Sequence, residues 1–456
     1  MIVLSHRGPY RYERVDDAGF LAHRGAGGVI SALGPLLADK AEATWIAAAM
    51  SDDDRAAMRA GATHGLDIDV RLLDLDPVQH RLHYDVVANG ALWFVHHGLF
   101  DRTRRPRFDI HFRDAWDAFV GVNEVFTAAA DECAAPGDVV LVQDYQLALV
   151  PGQLRTRRPD LRVVHFTHTP FAGPDDIGVL PADVAAELCA SLATGPAGFH
   201  TRRWADAYGR SAAAVLGPGA PATPPFAASL GPDVAALEEV GASRAARTAA
   251  SALADIVGER LVIARTDRIE PSKNIVRGFL AYDRLLEARP GLRGRVVFVA
   301  MVYPSRQGLA EYLAYANEVE QTVARINERW ATRDWTPVVL DDRDDFARSV
   351  AGLQRYDVLL VNALRDGLNL VAKEGPVVNR RDGVLCLSPE AGAYDELKPA
   401  ALPVHPYDIE QCAGALETAL AIPLDERAAR AASLRDLATR RSPAHWLADL
   451  VGHARE

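Results

Sequence analysis

Residues 356–374 read Tyr356-Asp-Val-Leu-Leu-Val-Asn-Ala-Leu-Arg-Asp-Gly-Leu-Asn-Leu-Val-Ala-Lys-Glu374. The apolar run ending at Val361 has the length and branching of a strand buried on both faces of a parallel sheet. The chain is then expected to turn at Gly367 and resume helical spacing. A strand, a turn and a helix start bring backbone N–H groups, here those of Leu368, Asn369 and Leu370, to the strand's carboxyl end, where helices receive phosphate. Asp366 beside the turn and Glu374 farther along add acceptors suited to sugar hydroxyls. Because a strand-turn-helix recurs throughout α/β proteins, other segments must decide what this one does.

Working outward, short apolar runs recur at Ile2–Leu4, Asp138–Val142, Leu161–Phe166, Arg260–Ala264, Arg295–Val302, Asp357–Val361, Gly383–Leu387 and Leu402–Val404, with helical stretches between them. Such alternation predicts an α/β fold of parallel sheets covered by helices. Polar residues follow each run, at the strand ends where open α/β sheets bind ligands. The Pro/Gly-dense stretch Leu216-Gly-Pro-Gly-Ala-Pro-Ala-Thr-Pro-Pro225, followed by Gly231-Pro232, interrupts the rhythm. It predicts a first domain over 1–235, a second over 236–440 and a terminal helix, 441–456, reaching back to the first.

The length of 456 residues favours two or three domains. A net charge of −11 argues against nucleic acid or an anionic membrane as partner, since both reward a basic surface. Any phosphate chemistry must then use local cations. Cys133, Cys189, Cys386 and Cys412 show no zinc spacing and fit reduced thiols in the cytosol. Neither a secretion signal nor a membrane-spanning run is recognisable.

Three cations stand out. Arg268 and Lys273 lie in Arg265-Thr-Asp-Arg-Ile-Glu-Pro-Ser-Lys-Asn274 after one expected strand, and Arg306 follows the next. Together they would neutralise a diphosphate and steady a departing nucleotide, whereas any one alone reads as a solvated loop cation. In the first half, the paired Gly27 and Gly28 would let backbone approach an anion closely, though a plain turn explains them equally. Arg7, with Tyr84 and Trp93, would suit a sugar phosphate: Arg for the phosphate, aromatic faces for the ring. Asp144 and His168 each follow a strand and could serve a sugar hydroxyl or a proton. The acidic clusters Asp52–Asp54 and Asp341–Asp345 invite a metal reading, but Ser51 before the first marks a helix cap. No metal and no cofactor is expected, and no nucleophile elbow or Walker loop occurs.

In this order, Ser5-His-Arg7, Ala26-Gly-Gly28, Tyr84 with Trp93, Gln143-Asp-Tyr-Gln146, His168-Thr-Pro-Phe171, Gly198-Phe-His-Thr201, Arg268 with Lys273, Pro304-Ser-Arg306, Arg365–Glu374 and Leu387-Ser-Pro-Glu-Ala-Gly392 resemble the trehalose-6-phosphate synthase family. The resemblance implies two Rossmann-like domains facing a central cleft (GT-B) and retaining, metal-independent glucosyl transfer from a nucleoside-diphosphate glucose to glucose 6-phosphate. It implies that Arg7, Tyr84, Trp93, Asp144 and Arg306 hold the acceptor. Gly27, Gly28, Arg268, Lys273 and the segment Asp366, Gly367, Leu368, Asn369 and Leu370 would hold the donor, with Glu374 on its ribose. His168 and Asp366 would contact the transferred sugar. Catalysis would then fall to Asp144, His168, Arg268, Lys273 and Asp366, without a protein nucleophile.

The chain departs from the family pattern in places. His6 replaces the usual Asn, the common Arg-Leu-Asp-Tyr-x-Lys-Gly loop is Arg268-Ile-Glu-Pro-Ser-Lys-Asn274, and Leu368 stands where Met is common. The loop changes flank the donor, and the Ala- and Arg-rich composition resembles actinobacterial members, which favours GDP-glucose over UDP-glucose. Competing readings are a relative using glycerol 3-phosphate, a pseudo-glycosyltransferase joining cyclitols, and a sugar-phosphate sensor. Retention of Arg268, Lys273 and Glu374 argues against the sensor. A homo-oligomer is compatible with the sequence, which does not specify one.

Overall fold

The computed structural model describes residues 1–15, 19–25, 28–38, 43–63 and 67–455; Gly27 lies outside them. The chain divides into two compact units, one of Met1–Leu230 with Pro443–Glu456 and one of Gly231–Ser442.

In chain order the strands of the first unit are β1 (Ile2–Arg7), β2 (Tyr10–Val15), β3 (Gly19–Arg24), β4 (Thr44–Ala48), β5 (Asp69–Leu73), β6 (Val139–Gln143), β7 (Arg162–Thr167), β8 (Ala197–Phe199) and β9 (Phe226–Ala227). Seven form a parallel sheet in the order β5-β4-β1-β6-β7-β8-β9, and β2 pairs with β3 as a separate antiparallel hairpin. The chain enters the sheet at β1, builds outward on one side and returns to build on the other. The order therefore reverses between β1 and β6, the kind of point at which open α/β sheets bind ligands beyond the strand ends. Val139–Gln143 is buried along its whole length, as a strand covered on both faces must be. Ile2, Leu4, Val140 and Val142 pack against Val122 and Phe126 of the helix Ile110–Cys133. The helix Pro443–Arg455 completes this unit: Trp446 is wholly buried with its ring centroid 5.1 Å from that of Phe166, and His453 stacks on Phe226.

The second unit repeats the plan. Its strands are β10 (Leu261–Ile269), β11 (Val296–Pro304), β12 (Val338–Asp341), β13 (Val358–Val361), β14 (Val384–Leu387) and β15 (Leu402–Pro403), parallel in the order β12-β11-β10-β13-β14-β15. The reversal falls between β10 and β13. All eight apolar runs predicted as strands are strands, so the α/β expectation holds. Thr44–Ala48, Asp69–Leu73, Ala197–Phe199, Phe226–Ala227, Val338–Asp341 and the β2–β3 hairpin were not predicted. Thr-Trp-Ile-Ala-Ala at 44–48 is short and alanine-rich, and its strand state comes from pairing with β1 and β5 rather than from propensity.

Both acidic clusters are structural. Asp54 closes a capping box with Ser51 and accepts the N–H of Tyr12 at 2.9 Å. Asp341 is paired with Arg343 and Arg348, and Asp345 caps the helix Phe346–Arg355. Among the described residues no group of His, Cys, Asp and Glu could hold a metal ion, and no helix is long and apolar enough to cross a membrane.

Candidate active site

The opening segment leaves β13 and enters the second unit's crevice. Asp366 forms an isolated bridge with Ala391: its N–H donates to the Glu390 carbonyl at 3.0 Å, and the Ala393 N–H donates to the Leu368 carbonyl at 2.7 Å. Gly392 makes this approach feasible, since a Cβ there would lie 2.1 Å from the Gly367 carbonyl oxygen. The expected turn at Gly367 is carried instead by Asn369, whose φ is 77°. Asn tolerates left-handed backbone because its short amide bonds locally. Here the amide donates to Asp366 Oδ2 at 3.1 Å and accepts the Ala372 N–H at 3.0 Å, capping the helix Val371–Val378.

Across the reversal, the loop after β10 is locked to the loop after β13. Asn274 and Asn362 exchange amide hydrogen bonds with each other's carbonyls at 2.9 and 3.0 Å, and Ser272 accepts the Leu364 N–H. The fully buried Arg265 ties Asp267, Asn362 and the Lys273 carbonyl together. Lys273 is thereby presented to Asp366, with Nζ 2.6 Å from Oδ2 and 3.8 Å from Asp267 Oδ1. Burial works against the ammonium, but the carboxylates of Asp366 and Asp267 outweigh it and raise the Lys273 pKa. Arg268 and Arg306 share a third carboxylate, that of Glu270. The Glu374 carboxyl, on the first turn of the Val371–Val378 helix, is pushed up by burial to about 7.

In the first unit the structure brings Arg7 and Tyr84 together, with Nη2 donating to the phenol oxygen at 3.2 Å. Tyr84 lies in a π-helical stretch, Leu82–Leu92, a geometry often found at functional sites. His6 stacks on its ring at 4.2 Å and shares a hydrogen bond with His80. Trp93 corrects the sequence reading: it is 1% exposed, stacked on His97 and edge-on to Phe94, so it offers no open face to a sugar. The apolar Phe94-Val95 that follows draws this turn into the core. Asp144 and His168 are adjacent, Asp144 Oδ1 accepting the His168 N–H at 3.0 Å. The His168 Nε2 lies 2.9 Å from Gln143 Oε1 and its Nδ1 3.0 Å from His200 Nε2, so both ring nitrogens are engaged. Burial foremost, then His200 and His165, hold the His168 pKa well below the usual imidazole range. Gly28 begins the helix Gly28–Ala38, where first-turn N–H groups lack helical acceptors.

Gln143, His200, Glu270 and His6 were missed as candidates. All four lie inside motifs of the sequence, but their partners become visible only when separate loops meet. Backbone strain also marks the site. Of the five non-glycine residues with positive φ among those described, Asp144, Asn274, Arg306 and Asn369 lie on these loops. Asp144, at φ 68° and ψ 168°, occupies a region nearly reserved for glycine, costing about 1–3 kcal/mol.

A model of glycosyltransferase family 20 matches residues 1–456. The chain belongs to that family. Among its relatives is a trehalose-6-phosphate synthase of Mycobacterium avium, 32% identical over 95% of this chain and 91% of its own length. The α,α-trehalose-phosphate synthase [UDP-forming] A of Dictyostelium discoideum is 28% identical over 98% of this chain, which spans only 61% of that family member. The crystal structure of an α,α-trehalose-phosphate synthase (UDP-forming) from Burkholderia vietnamiensis is 28% identical, with a TM-score of 0.85 over 100% of this chain and 99% of its own.

Proposed function

We propose that this chain is an α,α-trehalose-6-phosphate synthase, transferring glucose with retention from a nucleoside-diphosphate glucose, GDP-glucose by preference, to glucose 6-phosphate. The observation that carries the reading is the set Arg268, Lys273 and Arg306 on loops after adjacent strands, Lys273 paired with Asp366 and the two arginines sharing Glu270, together with membership of the family. Arg268, Lys273, Gly28 and the backbone of Asp366–Leu370 take the donor diphosphate, and Glu374 takes the ribose. Asp366 and His168 meet the transferred glucose. Arg7, Tyr84, Asp144 and Arg306 meet the acceptor, and Trp93 is left out as a direct contact.

The chemistry follows from the charges. As the bond from glucose C1 to the phosphate oxygen breaks, negative charge grows on the leaving diphosphate, where Arg268 and Lys273 stabilise it most. Drawing Lys273 toward phosphate also frees the Asp366 carboxylate to accept from a sugar hydroxyl. The acceptor oxygen bonds to C1 on the same face, and its proton passes to the leaving phosphate oxygen. No protein nucleophile is required, in keeping with the buried thiols of Cys189, Cys386 and Cys412, whose pKa values burial raises.

The test is release of GDP and UDP from the two glucose donors, each with glucose 6-phosphate, with glycerol 3-phosphate, or with neither. Release from GDP-glucose that depends on glucose 6-phosphate is expected. Release only with glycerol 3-phosphate would replace the acceptor, and no release at all would remove the transferase reading.

The Glu374 carboxyl supplies a pH prediction. Ribose hydroxyls need its ionised form, and a pKa of about 7 leaves it largely protonated in mild acid. The kcat/KM for donor is therefore expected to rise with pH through about 7, and Glu374→Gln to flatten that limb. A pH profile unchanged in the variant would reassign the group.

A further inference from the structure

We propose that Glu270 is a positioning residue that couples the donor-phosphate and acceptor-phosphate cations. This rests on the reading above, in which Arg268 serves the donor and Arg306 the acceptor. Glu270 follows β10 directly, and its residue is 2% exposed. One carboxylate oxygen, Oε1, lies 3.2 Å from Arg268 Nη1, 3.6 Å from Arg306 Nη1 and 3.2 Å from the Ser305 hydroxyl. The two arginines come from adjacent parallel strands, where Arg268 lies opposite Tyr303 and Ile269 opposite Pro304. Two guanidiniums at neighbouring strand ends repel, and a buried carboxylate between them is what lets both stand there.

Their surroundings divide the work. Arg306 is held on several sides: its side chain is 8% exposed, it donates to the Tyr312 hydroxyl, lies over that ring and has a left-handed φ of 44°. Arg268 is 47% exposed, so Glu270 fixes one edge of its guanidinium and leaves the other N–H groups for phosphate. Glu270 thus touches the cations proposed for both phosphates, and it need not itself touch either substrate.

The experiment compares wild type, Glu270→Gln and Glu270→Asp for kcat, KM of donor, KM of glucose 6-phosphate and thermal unfolding. Glu270→Gln keeps the shape and removes the charge; kcat should fall by about tenfold to a hundredfold, the loss expected when a charged hydrogen-bond partner is removed. Both KM values should rise together. Glu270→Asp, which restores the charge, should recover most of the loss. A merely structural role would lower the melting temperature and the active fraction while leaving both KM values alone. An active wild type with either KM unmoved in Glu270→Gln overturns the inference but not the function. If Glu270→Gln does not fold, unchanged KM values in Glu270→Asp do the same. A wild type without acceptor-dependent release overturns both.

Discussion

Replacing Lys273 with Ala is expected to lower kcat by about a hundredfold to a thousandfold, the loss seen when one preorganised stabiliser of developing charge is removed. Lys273 is firmly fixed in the second unit. Its backbone carbonyl is bonded by the buried Arg265, its loop is pinned to β13's loop by the Asn274–Asn362 exchange, and its ammonium faces Asp366. Such a group costs little reorganisation when charge appears. Because the proposed contact strengthens as the diphosphate departs, kcat and kcat/KM should fall together. Steady-state nucleotide release checks this, with calorimetric binding of nucleoside diphosphate as control. A kcat within about fivefold of wild type would assign leaving-group stabilisation elsewhere.

The second large effect is expected from a residue that carries no side chain. In Gly392→Ala the new methyl would meet the Gly367 carbonyl oxygen at 2.1 Å and the Leu368 Cα at 3.0 Å, both backbone atoms that cannot swing aside. The Asp366–Leu368 segment, joined to 390–393 by hydrogen bonds, must shift with it. Overpacking of this kind costs about 1–3 kcal/mol, and a displacement of about 1 Å at a reacting centre costs about a hundredfold in rate. Chemical denaturation and kcat together test the idea. A stable variant of normal turnover would show that the bridge to Ala391 does not position Asp366.

Much of this candidate site was legible because ligand-binding loops of α/β folds follow strands, and buried parallel strands announce themselves as apolar runs. Val358–Val361 and Val139–Gln143 are such runs, and the polar residues just beyond them, Asp366 and Asp144, stand in the crevices. What stayed hidden depends on distant packing. His6 meets Tyr84 across 78 positions, and nothing local to either residue indicates the stack. Trp93 looked like a sugar platform until its neighbours closed over it. The turn passed to Asn369 because its amide has two partners in place, something composition favours glycine for and only geometry can reassign. Glu270 read as one acid in a charged loop, since its meaning depends on Arg306 from the neighbouring strand.

Trp446 lies with its ring centroid 5.6 Å from that of His168, although 278 positions separate the two residues. The first unit is thus discontinuous: a ribosome must make all of Gly231–Ser442 before the helix Pro443–Arg455 can dock and bury the His168 ring. During synthesis the second unit can close on itself while the first still exposes the apolar seat of Trp446 beside Phe166. Nascent chains are accordingly expected to expose this apolar seat until the helix Pro443–Arg455 emerges.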